Sequence, residues 1–260
     1  MGPGRDVVRT ALDRARATCA AVLRRRGLVL RRLPPAALLS PLAVDLTIAA
    51  TFVATTRGSG FIQIGAFDGM TNDPIRQLVV DHGWTGVLIE PQRAMFERLR
   101  RSYSQCPRLV FLNAAIAAES GSTTLWKVRD DAGAPAWTAQ LASFDRDLVL
   151  AHLRPWPDLQ GAVVGERVET ITLDDAFDRA PAPVELVQID AEGFDGEIIR
   201  MLDLERHRPA IIRFEHRHLG RREHDAAIRK LVAHGYRIAV AEDDTLALRY
   251  EPGAGTTATI

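Results

Sequence analysis

The chain has 260 residues, of which 47% are hydrophobic, so it can form one large α/β domain with an appendage or at most two small domains. Its formal net charge is zero, which argues against a protein whose whole surface binds nucleic acid. The two cysteines, Cys19 and Cys106, are far apart in unlike contexts, so we expect neither a disulfide framework nor a cysteine-based metal site.

The amino-terminal region carries a local excess of positive charge. Nine arginines against two aspartates give residues 1–32 a charge of +7, so the rest of the chain carries −7. Apolar residues at helical spacing predict one or two basic helices over residues 5–32, within a helical amino-terminal region at 1–57. Two interpretations stay open: a cover over part of the main domain, or a docking surface for a membrane or an acidic carrier.

The early residues lack the continuous apolar segment of a signal peptide. Residues 36–56 are the most apolar early stretch, but Pro41 and Asp45 interrupt it and make it a poor membrane span. We therefore expect a soluble, cytoplasmic protein. The sequence leaves its oligomeric state open.

The stretch from Gly60 to Pro91 has the pattern of a βαβ unit. A short apolar run at Phe61–Ile64 predicts a buried strand, and the glycine-containing segment Gly65–Gly69 predicts a turn after it. Helical spacing returns after Asp73-Pro74, which suits an N-cap followed by a proline in the first turn. A second apolar run at Gly86–Ile89 ends on an acid.

That acid, Glu90, lies at the end of the second predicted strand and can accept hydrogen bonds from two neighbouring ribose hydroxyls. The glycines of the turn let the backbone approach a ligand closely because they carry no side chain. Turn and acid together predict a site for the nucleoside end of a cofactor. The plain alternative is that Glu90 is a solvated strand end.

The alternation of strands and helices continues to residue 250, so we expect one domain at 58–250 and a loose tail at 251–260. Residues 130–166 are the least regular part, and Trp137 and Trp156 there either line a substrate pocket or anchor the loop to the body. Helices are expected at 42–53, 94–103, 144–153, 174–177, 195–202 and 225–234, and strands at 109–112, 122–128, 167–173, 184–189 and 210–214, before a closing hairpin at 236–241 and 245–250.

Three of the predicted strands end on acids: Glu90, Asp190 and Glu215. Ligands of open α/β sheets lie outside the carboxyl ends of the strands. If the sheet is parallel, the three acids therefore face one crevice.

The ordered motifs of the chain resemble those of the FkbM-type methyltransferases over residues 58–250. The resemblance implies the Rossmann-like α/β fold of class I methyltransferases, with a mostly parallel seven-stranded sheet and a closing antiparallel hairpin, and S-adenosylmethionine as cofactor. The matching segments are QIGAFDG at 63–69, LIEP at 88–91, LNAAI at 112–116, TITLDD at 170–175, QIDAEGFD at 188–195 and FEH at 214–216.

The same resemblance implies which residues bind the cofactor. Gly65, Asp68 and Gly69 would hold its methionine part, and Glu90 its ribose. The adenine would lie beside Asn113 and Ala114. Gln63 would also bind the cofactor, but many relatives have an acid at this position. An amide brings no charge, and this puts the contact with the cofactor's ammonium group in question.

The resemblance assigns acceptor chemistry to the later strand ends. His216 and Asp190 are the catalytic candidates. Related catechol-type enzymes bind Mg²⁺ at such acids, so a metal site at Asp190, Glu215 and His216 is one option. A metal-free mechanism with His216 as general base is the other, and His216 as a plain polar strand end is the third. Weaker candidates are Glu192, Asp195, His218 and His224.

These expectations combine into an S-adenosylmethionine-dependent O-methyltransferase that acts on a hydroxyl of a sugar or a secondary metabolite. A nicotinamide-dependent oxidoreductase is the first alternative, although the turn lacks the three-glycine fingerprint and the sequence has no Tyr-x-x-x-Lys pair. The second alternative is a non-catalytic binding protein on the same scaffold.

Overall fold

The computed structural model describes residues 59–241 and 243–249. The predictions for the basic region, for the helix at 42–53 and for the tail fall outside the described residues. They stay predictions, as does the expected helical region at 1–57.

The described residues alternate between strands and helices along the chain. In order, the elements are β1 (Gly60–Ile64), α1 (Arg76–His82), β2 (Thr85–Ile89), α2 (Arg93–Ser102), β3 (Leu109–Leu112), β4 (Ala115–Ile116), β5 (Gly121–Val128), a 3₁₀ helix (Ala136–Gln140), α3 (Arg146–His152), α4 (Pro157–Gln160), β6 (Val163–Ile171), α5 (Leu173–Asp178), β7 (Val184–Ile189), α6 (Asp195–Met201), β8 (Ile211–Glu215), α7 (Arg221–Ala233), β9 (Tyr236–Ala241) and β10 (Asp244–Arg249).

The main sheet has seven strands in the order β3-β2-β1-β7-β8-β10-β9. The pairs from β3 to β8 are parallel, and β10 is antiparallel to both of its neighbours. This arrangement confirms the predicted mostly parallel seven-stranded sheet with a closing antiparallel hairpin. The strand order reverses between β1 and β7, and in open α/β sheets such a switch point opens a crevice for a ligand.

Helices cover both faces of the main sheet. On one face, α1 and α2 pack their apolar residues against Phe61 of β1 and Leu88 of β2. On the other face, α5, α6 and α7 pack against Ile62, Val187 and Ile212. Because both faces are covered, β1 and β2 are buried along their whole lengths, which explains their continuous apolar character.

A second sheet has three strands, in the order β4-β6-β5. In it, β5 and β6 form a long antiparallel ribbon from Gly121–Val128 to Val163–Thr170. Strand β6 therefore begins four residues before the predicted start at Arg167. Its first half is largely exposed and pairs along one ribbon, so its sequence lacks the apolar run that marks the main strands.

The segment at 130–166 is more regular than its sequence suggested. It holds the 3₁₀ helix, α3, α4 and the start of β6. Asp145 begins α3 by accepting hydrogen bonds from the backbone N–H groups of Asp147 and Leu148. A small apolar core holds the segment together; its buried members are Val128, Leu141, Val149, Leu153 and Ala162.

Within residues 59–241 and 243–249, no helix is long and apolar enough to cross a bilayer. The cytoplasmic location stays a prediction.

Candidate functional site

The strand register places five residues in one row at the carboxyl edge of the main sheet. Ile64 pairs with both Ile89 and Ile189, and the same row continues to Leu112 on one side and Phe214 on the other. The next residue of each strand lies just past this row. These residues are Asn113, Glu90, Gly65, Asp190 and Glu215, so the predicted acidic strand ends do meet at one edge.

A cavity of about 380 Å³ opens at this edge. Glu90, Asp190 and Glu215 all line it, as do Gln63, Gly65 and Ala114 from the set of predicted site residues. Its size falls in the range of pockets that hold small molecules and cofactors. Asp68, Gly69, Asn113 and His216 are not among its lining residues.

Glu90 is buried, with 3% of its surface exposed, and backbone groups hold its carboxylate in place. Oε1 accepts the N–H of Gln92 at 2.8 Å, and Oε2 accepts the N–H of Phe67 at 2.9 Å. Burial raises the pKa of Glu90 to about 7, although the two N–H donors favour the charged form. Each oxygen keeps a lone pair for a donor from the cavity. The carboxylate is thus fixed and is not a solvated strand end.

Gln63 is also 3% exposed and lines the cavity. Its Nε2 donates to Oδ1 of Asp73 at 3.0 Å, whereas its Oε1 has no hydrogen-bond partner. Asp73 is not the N-cap that the sequence predicted, because α1 begins after Ile75. Asp73 instead accepts bonds from Gln63, from the Ile75 N–H at 2.9 Å and from the hydroxyl of Tyr103. The turn therefore needs Asp73 for its internal bonding.

The glycines of the turn have packing roles that the sequence did not reveal. A Cβ on Gly65, at φ +76°, would lie 1.8 Å from the backbone oxygen of Asp190. A Cβ on Gly69 would lie 2.7 Å from the ring of Tyr103. Gly65 lets the ends of β1 and β7 approach each other, and Gly69 lets the turn pack on α2. Packing within the protein thus already requires glycine at both positions, and close approach to a ligand at Gly65, which lines the cavity, stays a prediction.

Two more predicted cofactor residues, Asp68 and Asn113, bond to the backbone around the cavity and do not line it. Asp68 accepts bonds from the backbone N–H groups of Thr71 and Met70, at 2.7 and 2.9 Å. Partial burial works against ionisation, but these bonds outweigh it and hold the pKa of Asp68 below its usual value. Asn113 donates through Nδ2 to the carbonyl oxygens of Glu90 and Pro91, at 2.9 and 3.0 Å. Both side chains fix backbone that borders the cavity.

His216 lies outside the group of acids, although it follows Glu215 directly. Its backbone N–H donates to the carbonyl oxygen of Asp243 at 2.7 Å, and its Nδ1 lies 3.0 Å from Oγ1 of Thr245. Its ring stacks on His224 with centroids 4.3 Å apart. The proposed ligand set of Asp190, Glu215 and His216 is therefore not brought together. The reason is that β8 ends at Glu215. His216 lies past this end, where its backbone N–H bonds to Asp243 next to β10.

His218, two residues further on, does reach the cavity. Its Nε2 lies 3.4 Å from Oε2 of Glu192 and 3.6 Å from Oε2 of Glu215. All three residues line the cavity. His152 of α3 packs edge-on against the His218 ring, with centroids 4.6 Å apart. Glu192 and His218 were only weaker candidates in the sequence, and no pattern there pointed to His152.

The acids at this edge share a poorly solvated region. The pKa values rise to about 8 for Glu192, about 9 for Glu215 and about 7 for Asp195. Burial is the largest cause of each rise, and repulsion from neighbouring acids adds to it. Asp190 is accessible from the cavity, but protein atoms surround its carboxylate on the other sides. The resulting loss of hydration raises the pKa of Asp190 to about 6. Burial lowers the pKa of His218 to about 4, helped by His152 and Arg217.

The segment at 130–166 forms part of the cavity wall. Trp137, Ser143, Phe144 and His152 line it, and the hydroxyl of Ser143 donates to the carbonyl oxygen of Glu192 at 2.8 Å. The ring of Phe144 packs edge-on against Phe194 at 4.9 Å between centroids. Trp137 is 37% exposed and contacts the ring of Trp156 at 4.8 Å. Trp137 thus lines the pocket, whereas Trp156 packs behind it.

The cavity lacks hydrogen-bond donors for its own buried acceptors. Among the described residues, three cavity-lining side chains carry a buried oxygen with no hydrogen-bond partner: Gln63 Oε1, Gln92 Oε1 and Glu215 Oε2. Buried acceptors without partners cost free energy, so donors or positive charge near these oxygens would stabilise this edge.

The Methyltransferase FkbM domain family matches residues 63–238. No curated protein matches the chain. Among solved structures, the methyltransferase FkbM from Methylobacillus flagellatus KT is 15% identical over 73% of this chain and 43% of that chain, with a TM-score of 0.45. The METTL16 MTase domain is 11% identical over 91% of this chain and 80% of that chain, with a TM-score of 0.46.

The chain thus spans less than half of the M. flagellatus protein. The family match itself covers more than half of this chain. It favours a methyltransferase over the oxidoreductase alternative, since the family is described by its methyltransferase domain, and it implies S-adenosylmethionine as the methyl donor. The chain belongs to the FkbM methyltransferase family.

Proposed function

We propose that the protein transfers the methyl group of S-adenosylmethionine to a hydroxyl group of a small acceptor, a sugar or a secondary metabolite. One observation carries the proposal: the cavity at the switch point is lined by acids and by buried oxygens without partners. S-adenosylmethionine matches such a lining because it has a sulfonium cation, an ammonium group and a ribose with two hydroxyl donors.

The cofactor end of the cavity lies at β1 and β2. Glu90 would accept both ribose hydroxyls, since its carboxylate is already held by the N–H groups of Phe67 and Gln92. The free Oε1 of Gln63 would accept a bond from the ammonium group, so an amide can serve where many relatives have an acid. Ala114 offers an apolar surface beside the adenine.

The acceptor end lies at β7 and β8. When bound, the cofactor supplies an electrophilic methyl carbon. The chain's residues would hold the acceptor hydroxyl in line with this carbon and take up its proton as the methyl group moves to oxygen and S-adenosylhomocysteine leaves. Asp190 is our candidate for the base, because its carboxylate reaches the cavity and a pKa near 6 leaves it ionised at neutral pH. His218 replaces His216 as the histidine candidate from the end of β8, because His218 lines the cavity and His216 does not.

Metal assistance is the alternative to Asp190 as a metal-free base. Asp190, which follows β7, and Glu215, which ends the neighbouring parallel strand β8, offer carboxylate oxygens, the ligands that Mg²⁺ prefers. A divalent cation there would lower the pKa of the acceptor hydroxyl. The aromatic wall of Trp137, Phe144 and Phe194 supports an acceptor with a flat apolar face, such as a sugar ring.

A labelled transfer assay tests the proposal. The full-length protein is incubated with methyl-labelled S-adenosylmethionine and a panel of sugars and hydroxylated metabolites, with mass spectrometry of the products. We expect an acceptor to gain one methyl group on oxygen, and Asp190→Asn to slow the transfer by about 10²–10⁴-fold. Glu97→Gln on α2 is the control. Label on a nitrogen, or an Asp190→Asn rate equal to the wild-type rate, would contradict the proposal.

A further inference from the structure

Three cavity-lining side chains lie close together, although no hydrogen bond joins any two of them. Glu192 lies in the loop after β7, Glu215 ends β8, and His218 lies in the loop after β8. One ligand atom from each lies within 4.8 Å of the other two. The group differs from the Mg²⁺ set that the sequence suggested, because Glu215 is the sole residue common to both.

The separations within this group are too long for hydrogen bonds. His218 Nε2 lies 3.4 Å from Glu192 Oε2 and 3.6 Å from Glu215 Oε2, beyond the range of about 2.7–3.2 Å for an N–H···O bond. Oε2 of Glu215 is buried and has no hydrogen-bond partner. Two ligands about 2.1 Å from a shared ion lie roughly 3.0 Å apart at a right angle and 3.4 Å apart in a tetrahedron. The two separations from His218 are therefore compatible with ligands of one shared ion.

Neighbouring groups hold two of these residues in place. The Ser143 hydroxyl fixes the backbone of Glu192 through its carbonyl oxygen, at 2.8 Å. The ring of His152 packs edge-on against His218. Two arginines act at this end, Arg217 in the cavity lining and Arg213 near Asp190, against four acids: Asp190, Glu192, Asp195 and Glu215. The excess of acids favours a bound cation.

We propose that Glu192, Glu215 and His218 form a binding site for one divalent transition-metal ion, with Mn²⁺ or Zn²⁺ preferred to Mg²⁺. The preference follows from the imidazole, because Mg²⁺ selects oxygen ligands whereas Mn²⁺ and Zn²⁺ accept nitrogen beside carboxylates. Binding of the ion stands independently of the methyl transfer. Its use rests on the proposed function: beside the acceptor hydroxyl, the ion lowers the pKa of that hydroxyl.

Titration of the metal-stripped, full-length protein with MnCl₂ tests this site, by calorimetry and by the electron paramagnetic resonance signal of free Mn²⁺. We expect one saturable site per chain, with excess Mg²⁺ a weak competitor. Glu192→Gln and His218→Asn should each weaken Mn²⁺ binding by at least about tenfold, since even groups behind the ligands give changes of this size. His216→Asn is the matched control, and we expect it to bind Mn²⁺ like the wild type.

Thermal melts of each variant show that the fold is retained. The proposal is overturned if no saturable site exists, if folded His218→Asn and Glu192→Gln bind Mn²⁺ as the wild type does, or if His216→Asn loses the ion as they do. S-adenosylhomocysteine binding is measured on the same samples. If S-adenosylhomocysteine binds and Mn²⁺ does not, only the metal site is rejected. If S-adenosylhomocysteine does not bind, the proposed function is rejected, and the Mn²⁺ titration still decides on the metal site.

Discussion

Replacing Glu90 with glutamine changes the proposed ribose contact with little change in shape. Both carboxylate oxygens accept backbone N–H groups, from Gln92 at 2.8 Å and from Phe67 at 2.9 Å. A glutamine has one carbonyl oxygen, so its NH₂ group must face one of these donors. Leaving a buried donor without an acceptor costs about 1–3 kcal/mol. Because burial raises the pKa of Glu90 to about 7, loss of the charge offsets part of this cost above that pH.

The effect on cofactor binding is larger and more specific. Hydrogen bonds to a charged group contribute about 1.5–3 kcal/mol each, and neutral ones about 0.5–1.5 kcal/mol. Two ribose hydroxyls that lose a charged acceptor should therefore lose about 2–3 kcal/mol together. This corresponds to roughly 30- to 150-fold weaker binding of S-adenosylhomocysteine.

Calorimetry at pH 8 measures this change. The control is Glu97→Gln, which removes an exposed acid that pairs with Arg93 at 2.8 Å on α2, away from the cavity lining. We expect the control to bind like the wild type. If folded Glu90→Gln binds S-adenosylhomocysteine within about threefold of the wild type, the assignment of Glu90 to the ribose is wrong.

Three further predictions concern the fold, the acids and the amino-terminal region. Gly65→Ala should lower the free energy of unfolding by more than about 2 kcal/mol, because its Cβ would lie 1.8 Å from the Asp190 backbone, whereas Gly83→Ala, with open space at a similar φ, should cost only about 1–2 kcal/mol; equal urea midpoints would contradict this. Burial raises the pKa of Glu215 from 4.5 to about 9, so the metal-free folded protein holds this proton longer than the unfolded chain, and the stability present below pH 4.5 is lost as the pH rises towards 9. In EDTA at pH 9, Glu215→Gln should therefore melt at a higher temperature than the wild type, by about 2–4 °C for each kcal/mol regained, whereas at pH 4.5 the two should melt at the same temperature. A difference in melting temperature that does not grow with pH would contradict burial of Glu215 as the cause. Removal of residues 1–32 should abolish association with anionic vesicles and spare methyl transfer if the region is a docking device; lost transfer would indicate a cover over the active site.

Much of the fold could be predicted because its main strands are short runs rich in apolar residues. Strands β3, β7 and β9 begin and end at the predicted residues, Leu109–Leu112, Val184–Ile189 and Tyr236–Ala241. Apolar residues predominate in each of these runs, and a polar residue follows each one. Helix α7 begins four residues before the predicted Asp225, because its first turn is charged and exposed and offers no apolar periodicity.

Only the site residues at the ends of the strands could be predicted from the sequence. Glu90, Asp190 and Glu215 each end or follow a parallel strand, so strand register alone brings them to one edge. His216 and His218 lie beyond the end of β8, where side chains no longer alternate between two faces. The sequence therefore could not show which of the two histidines reaches the cavity.

The same limit applies to residues 130–166. Trp137, Phe144 and His152 approach the cavity through the packing of short helices against β5. Such contacts join residues far apart in the chain and leave no periodic pattern. For Gly65 the residue type was informative, but the close neighbour is the Asp190 backbone, which the sequence places 125 positions away.

A crystal structure of the full-length protein with S-adenosylhomocysteine tests the central claim most directly. We expect the ribose hydroxyls within hydrogen-bond distance of the Glu90 carboxylate and the ammonium group beside Oε1 of Gln63. The sulfur should face the edge that carries Asp190. Cofactor bound elsewhere, or a Glu90 carboxylate without contact to the ribose, would contradict the account.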